Sequence, residues 1–82
     1  MANLLTADII RADVAEVLHR LPHETQDHED MFEAGMDSLR LQILIERWRG
    51  AGAEISFVDL AERATLANWL SLLIVTPEVT VL

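Results

Sequence analysis

The side chains able to do chemistry are few, and their spacing narrows them further. His19, His23 and His28 are the only imidazoles, and a metal held by His19 and His23 at i, i+4 would need both on one helix with Pro22 between them. No metal site is expected from them. The acids Glu24, Asp27, Glu29, Asp30, Glu33 and Asp37 fall between Pro22 and Ser38 with no Arg among them, yet lack the alternation and glycine of a calcium-binding loop. They read equally as a solvated loop or as a steering surface. With no nucleophile–base pair and no carboxylate pair in a cleft, an enzyme is the least favoured reading. What remains is Gly35-Met36-Asp37-Ser38-Leu39, a glycine, a turn and a serine at the first residue of a helix. By itself that string requires only a helix cap, with Asp37 or Ser38 accepting from exposed backbone N–H groups, worth about 0.5–2 kcal/mol.

The elements that position this segment follow from periodicity. Ile10, Val14, Val17, Leu18 and Leu21 lie on one face of a first helix, predicted over residues 7–20 with Thr6 as N-cap and Pro22 as its stop. Residues 23–30 read as a long loop that Met31 and Phe32 pin to the core. A second helix runs from Ser38 to the Gly50-Ala51-Gly52 break, where glycine can take the left-handed conformation. Ser56-Phe57-Val58-Asp59 has capping-box spacing and opens a short third helix ending near Glu62. Thr65 caps a fourth, with Leu66, Trp69, Leu70 and Leu73 on one face. The tail 78–82 shows weak strand character.

Counting turns along the second helix exposes an unexplained surface. With Leu41 as origin and about 100° per residue, Leu41, Leu44, Ile45 and Trp48 lie within about 60° of one another's mean, while Leu39 and Ile43 fall at about 160° and 200°. Those two point away from the core. If exposed, each forgoes about 1.5–3 kcal/mol of burial, which a partner covering them recovers. The alternative is that the acidic loop folds over them.

Composition limits the rest. The 82 residues make one domain with room for one core and no deep cleft. Phe32, Trp48, Phe57 and Trp69 are the only aromatics, so the core is chiefly aliphatic. Without cysteine, stability comes from packing, and a reducing cytoplasm is the simplest home. Six Arg and no Lys against fourteen acids give a formal charge of −8, which disfavours nucleic acid and anionic membranes and favours basic partner surfaces. The start of the chain lacks the positive charge of a secretory signal, and no apolar stretch is long enough to span a membrane.

The G-x-D-S-L motif, set in a small helical domain, makes residues 30–73 resemble the phosphopantetheine carrier proteins of thiotemplate biosynthesis. Within that superfamily the sequence is most similar to aryl carrier domains of siderophore assembly, including the one fused to isochorismatase. The features carrying this are Asp37-Ser38-Leu39-Arg40, Glu46-Arg47-Trp48-Arg49, Ile55-Ser56-Phe57-Val58-Asp59-Leu60-Ala61, Thr65-Leu66 and Trp69. The resemblance implies an all-α, four-helix bundle of acyl-carrier type, with three longer helices and one short one. It implies a carrier domain over residues 1–75 and a tail over 76–82, working as a monomer.

It also implies that Ser38, in a motif with Gly35 and Asp37, receives 4'-phosphopantetheine from coenzyme A. A separate phosphopantetheinyl transferase would supply the magnesium and the base. The arm's thiol would accept an acid from an adenylating enzyme and deliver it to a downstream condensation or acyl-transfer enzyme, so that tethering raises local concentration and the carrier catalyses nothing. The family's partner surface maps onto Leu39, Arg40, Gln42, Ile43, Phe57 and Ala61. Gln42 stands where an apolar residue is common, and Ala64 where a proline often precedes Thr65. A peptidyl or polyketide-type carrier, or a helical adaptor that bears no arm, are the competing readings.

Overall fold

The computed structural model describes residues 4–74. Its elements are α1 (Ala7–Leu18), a 3-10 turn (Pro22–Glu24), α2 (Ser38–Gly50), α3 (Phe57–Glu62) and α4 (Leu66–Leu73). They form an all-α, four-helix bundle in which α1 packs against α2 and α4, and α2 against α3. The tail, with its expected strand character, lies outside the described residues.

Each helix starts on a side-chain cap that satisfies backbone N–H groups otherwise left without a partner in the first turn. Thr6 accepts from Ile9 N–H, Asp37 from Arg40 N–H, Ser56 from Asp59 N–H and Thr65 from Asn68 N–H. At α3 the capping box is complete, because the Asp59 carboxylate also accepts from Ser56 N–H at 2.9 Å.

α1 ends two residues before the expected Arg20, and Pro22 is not what stops it. His19 takes the left-handed conformation at φ 58° and its N–H donates to the carbonyls of Ala15 and Glu16. Arg20 N–H then donates back to Ala15 O at 2.8 Å, closing the helix in the manner usually reserved for glycine. Pro22 instead opens the 3-10 turn, where its fixed φ and missing N–H are harmless. Leu21, expected on the buried face, is therefore 59% exposed, since the chain has already left the helix. α2 closes as the glycine break suggested, with Gly52 at φ 106°.

The core joins Ile10, Val14 and Val17 of α1 to Leu41, Leu44, Ile45 and Trp48 of α2, Leu60 of α3, and Leu66, Trp69 and Leu73 of α4. Leu70 is only partly buried at its margin. The two indoles meet edge to face with ring centroids 6.1 Å apart. Each N–H finds an acceptor, Asp13 Oδ2 for Trp48 and Leu60 O for Trp69, both at 2.9 Å, so neither large side chain buries an unpaired donor.

Candidate functional site

The loop between α1 and α2 sets the place of the serine motif, and it is tied down on both flanks. Asp27 O accepts from Ala67 N–H at 2.9 Å and Met31 N–H donates to Ala64 O at 2.7 Å, which fastens the loop to the start of α4. On the other side Arg11 Nη1 and Nη2 bond the two oxygens of Asp27 at 2.7 and 3.3 Å, and Arg20 does the same to Glu29 at 3.0 and 3.1 Å. The guanidiniums favour the ionised forms, holding the Asp27 and Glu29 carboxyls below the usual carboxylate range, and the acids in turn raise both arginines.

Most of the acidic run is thus engaged within the chain. Glu24 accepts from Leu21 N–H, Asp30 from Phe32 and Glu33 N–H, and Asp37 from Arg40. Five of the six acids hold backbone or arginine, so the run is chiefly a structural device. It does not fold over α2: Leu39 is 72% exposed and Ile43 43%.

Residues 31–35 form a turn in which Ala34 N–H donates to Met31 O and Gly35 N–H to Phe32 O. Met31 and Met36 are both buried and anchor its two ends, and Met36 N–H donates to Met31 O at 3.0 Å. Phe32, expected to share the anchoring, is exposed, so of the two only Met31 reaches the core. Gly35 sits at φ 115°, and a Cβ there would meet only Leu18 Cδ2 at 3.9 Å. Glycine is needed for the backbone angle and not for space.

Asp37, extended at φ −139° and ψ 179°, is the cap of α2, with Oδ1 2.8 Å from Arg40 N. Ser38 is the first residue of the helix and is exposed. Among the described residues no hydrogen bond engages its hydroxyl. The cap is therefore Asp37 alone, and the serine Oγ is free at the positive end of a 13-residue helix, next to backbone N–H groups suited to an anion.

The other residues singled out from the sequence spread over two neighbouring helices. Leu39, Gln42 and Ile43 are exposed on α2, and Phe57 is exposed at the start of α3. Ala61 is half-buried and packs against the core. Arg40 is half-exposed and bonds back onto Gly35 O and Asp37. Sequence reasoning passed over Val58, 59% exposed on α3. Counting turns finds it, since Leu60 is the buried residue of that helix and Val58 lies about 160° from it. His19, His23 and His28 are exposed, and no group of three or more His, Cys, Asp or Glu among the described residues could hold a metal ion. No helix among them is long and apolar enough to cross a membrane.

Comparison with known proteins adds independent findings. The family described as "Phosphopantetheine attachment site" matches residues 8–73. The chain is 49% identical over 69 residues to the acyl carrier protein ScoB of Streptomyces coeruleorubidus, covering 84% of this chain and 81% of that protein. It is 45% identical over 71 residues to isochorismatase of Bacillus subtilis (strain 168), covering 87% of this chain but only 23% of the enzyme. Against phenyloxazoline synthase MbtB of Mycobacterium sp. (strain MCS) it is 32% identical over 71 residues, 87% of this chain and 6% of the synthase. In the last two the chain therefore corresponds to a small part of a longer protein. No solved structure matches it.

Proposed function

The chain belongs to the phosphopantetheine attachment site family, and from that premise we propose that Ser38 bears the arm and that the cargo is an aryl acid. The protein is a carrier domain, and its family binds 4'-phosphopantetheine covalently. When attached, the group supplies a thiol that holds an acid as a thioester.

The observation that carries the Ser38 assignment is the division of labour at the start of α2. Asp37 does the capping, which leaves the adjacent serine hydroxyl exposed and unengaged. In the attachment step a bond forms between Ser38 Oγ and the phosphorus of coenzyme A that carries the pantetheine. The phosphoanhydride bond breaks, adenosine bisphosphate leaves, and the serine proton passes to a base on the transferase. A phosphodiester on Ser38 would be held at the N-terminal end of α2, whose first-turn N–H groups favour an anion. Arg40 offsets the like charge of Asp37.

The chain's own contribution is position. Its partners are then a phosphopantetheinyl transferase, an acid-adenylating enzyme and a downstream condensation or acyl-transfer enzyme, met in the cytoplasm. Residues 1–75 act as the carrier and 76–82 as a tail. The aryl reading is supported by the similarity to isochorismatase and to a phenyloxazoline synthase. Similarity to ScoB, of which the chain spans the larger share, favours an acyl carrier of another class as the second reading.

Incubation with coenzyme A and a promiscuous transferase, followed by intact-mass measurement, tests the site. Wild type is expected to gain one arm and Ser38→Ala none; equal modification of both overturns it. Loading the arm-bearing protein from a panel of acids, with an adenylating enzyme and ATP, separates the cargo readings. Hydroxybenzoates are the expected substrates, and acceptance of alkyl or amino acids alone selects the second reading.

A further inference from the structure

Three hydrogen bonds link residue 40 to Gly35 and Asp37, the residues on either side of Met36 just before Ser38. The Arg40 N–H donates to Asp37 Oδ1 at 2.8 Å, its Nη1 donates to Asp37 Oδ2 at 2.9 Å, and the same nitrogen donates to Gly35 O at 3.2 Å. Only the first is an ordinary helix cap, available to any residue with a backbone N–H. The other two require a cation on a long stem, directed back along the helix toward its N-terminus as helical side chains are. Together they grip the Asp37 carboxylate by both oxygens and fix the carbonyl of Gly35, whose φ of 115° makes that peptide the most unusual of the turn. Ser38 lies between the residues so joined and contributes no side-chain bond to the grip.

We propose that Arg40 is a positioning residue for the attachment reaction, holding residues 35–37 so that the Ser38 hydroxyl is presented in one orientation. The inference rests on Ser38 as the attachment site. It gives Arg40 a role inside the carrier, where the resemblance alone places it on the partner surface. A transferase must find the turn closed to engage the serine, so its apparent affinity for the carrier is reduced by the fraction of chains in which the turn is open. Once the complex is saturated, the turn is held by the partner and the chemical step proceeds at its own rate. Arg40 therefore acts on the KM for the carrier and not on kcat. The side chains of Arg40 and Asp37 are 36% and 53% exposed, so the effect is that of a surface ion pair, about two- to fivefold.

The test uses the full 82-residue chain as acceptor at saturating coenzyme A with a promiscuous transferase, alongside amide hydrogen exchange of the free chain. Arg40→Ala is expected to raise the KM for the carrier two- to fivefold with kcat unchanged, and to speed exchange of the amide at position 40 before any partner is added. Arg40→Lys, which keeps a cation with several donors, is expected to restore both readouts. An unchanged KM in Arg40→Ala overturns the proposal. So does a raised KM with unchanged exchange, which makes Arg40 a direct transferase contact. Wild-type protein that stays unmodified removes the Ser38 assignment itself, a result distinct from either.

Discussion

Asp13 on α1 accepts two hydrogen bonds from α2 through its two oxygens, one at 2.9 Å from the indole N–H of Trp48 and one at 3.0 Å from Arg47 Nη1. Trp48 is fully buried, so the indole donor has no water to turn to if this acceptor is lost. Arg47 also bonds Glu16 at 2.7 Å, and the two acids hold its guanidinium firmly protonated.

Asp13→Ala is accordingly expected to cost about 1–3 kcal/mol, the penalty of a buried donor left unpaired. Glu16→Ala, whose side chain is largely exposed, should stay within about 0.5 kcal/mol of wild type. Urea unfolding followed by tryptophan fluorescence measures both. Equal losses for the two variants would show that the indole bond contributes nothing and that only the ion pair matters.

Acid should loosen the loop before it unfolds the bundle. The folded-state pKa values of Asp27 and Glu29 lie below their unfolded ones, because Arg11 and Arg20 bond the ionised forms. The stability they contribute is therefore fully present above the ordinary carboxylate pKa of about 4 and is lost as pH falls through the depressed values. Between pH 5 and pH 3 the urea midpoint of wild type should fall further than that of an Arg11→Gln, Arg20→Gln double variant. Parallel curves for the two proteins would detach these pairs from the acid response.

What the sequence revealed was mostly local. The caps at Thr6, Asp37, Ser56 and Thr65 and the buried stripe of α2 depend on residues within one or two turns, so residue type and spacing sufficed. The acidic run looked unpaired because its partners are distant: Arg11 is sixteen residues from Asp27, and Arg20 nine from Glu29. No spacing rule connects an arginine on a helix to a carboxylate in the following loop. The early stop of α1 was hidden for another reason, since a left-handed histidine carries no signal comparable to glycine's. Arg40 belonged to the legible class, three residues from Asp37 and five from Gly35, yet the resemblance, which placed it on the partner surface, directed it outward and passed over the bonds.

Two backbone positions with positive φ should respond in opposite directions. His19 carries a Cβ at φ 58°, so His19→Gly relieves the left-handed penalty and is expected to stabilise by up to about 1 kcal/mol, the gain being reduced by glycine's extra freedom in the unfolded chain. Gly35→Ala imposes a Cβ at φ 115°, where space is adequate but the angle is not, and should cost about 1–3 kcal/mol. Thermal melts of the two variants decide this. A neutral Gly35→Ala would mean that the turn relaxes readily, and the attachment rate would then be the more sensitive readout.

Ile43 and Leu44 are neighbours in sequence about 100° apart around α2, one exposed and one buried, and they separate function from stability. Leu44 is fully buried, so Leu44→Ala leaves an internal cavity and is expected to cost about 2–5 kcal/mol. Ile43 is 43% exposed, and Ile43→Gln should leave the melting temperature nearly unchanged, within the roughly 0.5 kcal/mol usual for surface substitutions. If the exposed apolar residues of α2 and α3 receive a downstream enzyme, Ile43→Gln should lower the rate of acyl transfer from the loaded arm, and Val58→Gln on α3 should do the same. Because a partner covering both helices desolvates them together, the double variant is expected to be non-additive in transfer rate while remaining additive in stability. Transfer rates that match wild type in both single variants would move the docking surface off these two helices, whereas a large drop in melting temperature for Ile43→Gln would mean that the side chain contributes to the fold after all.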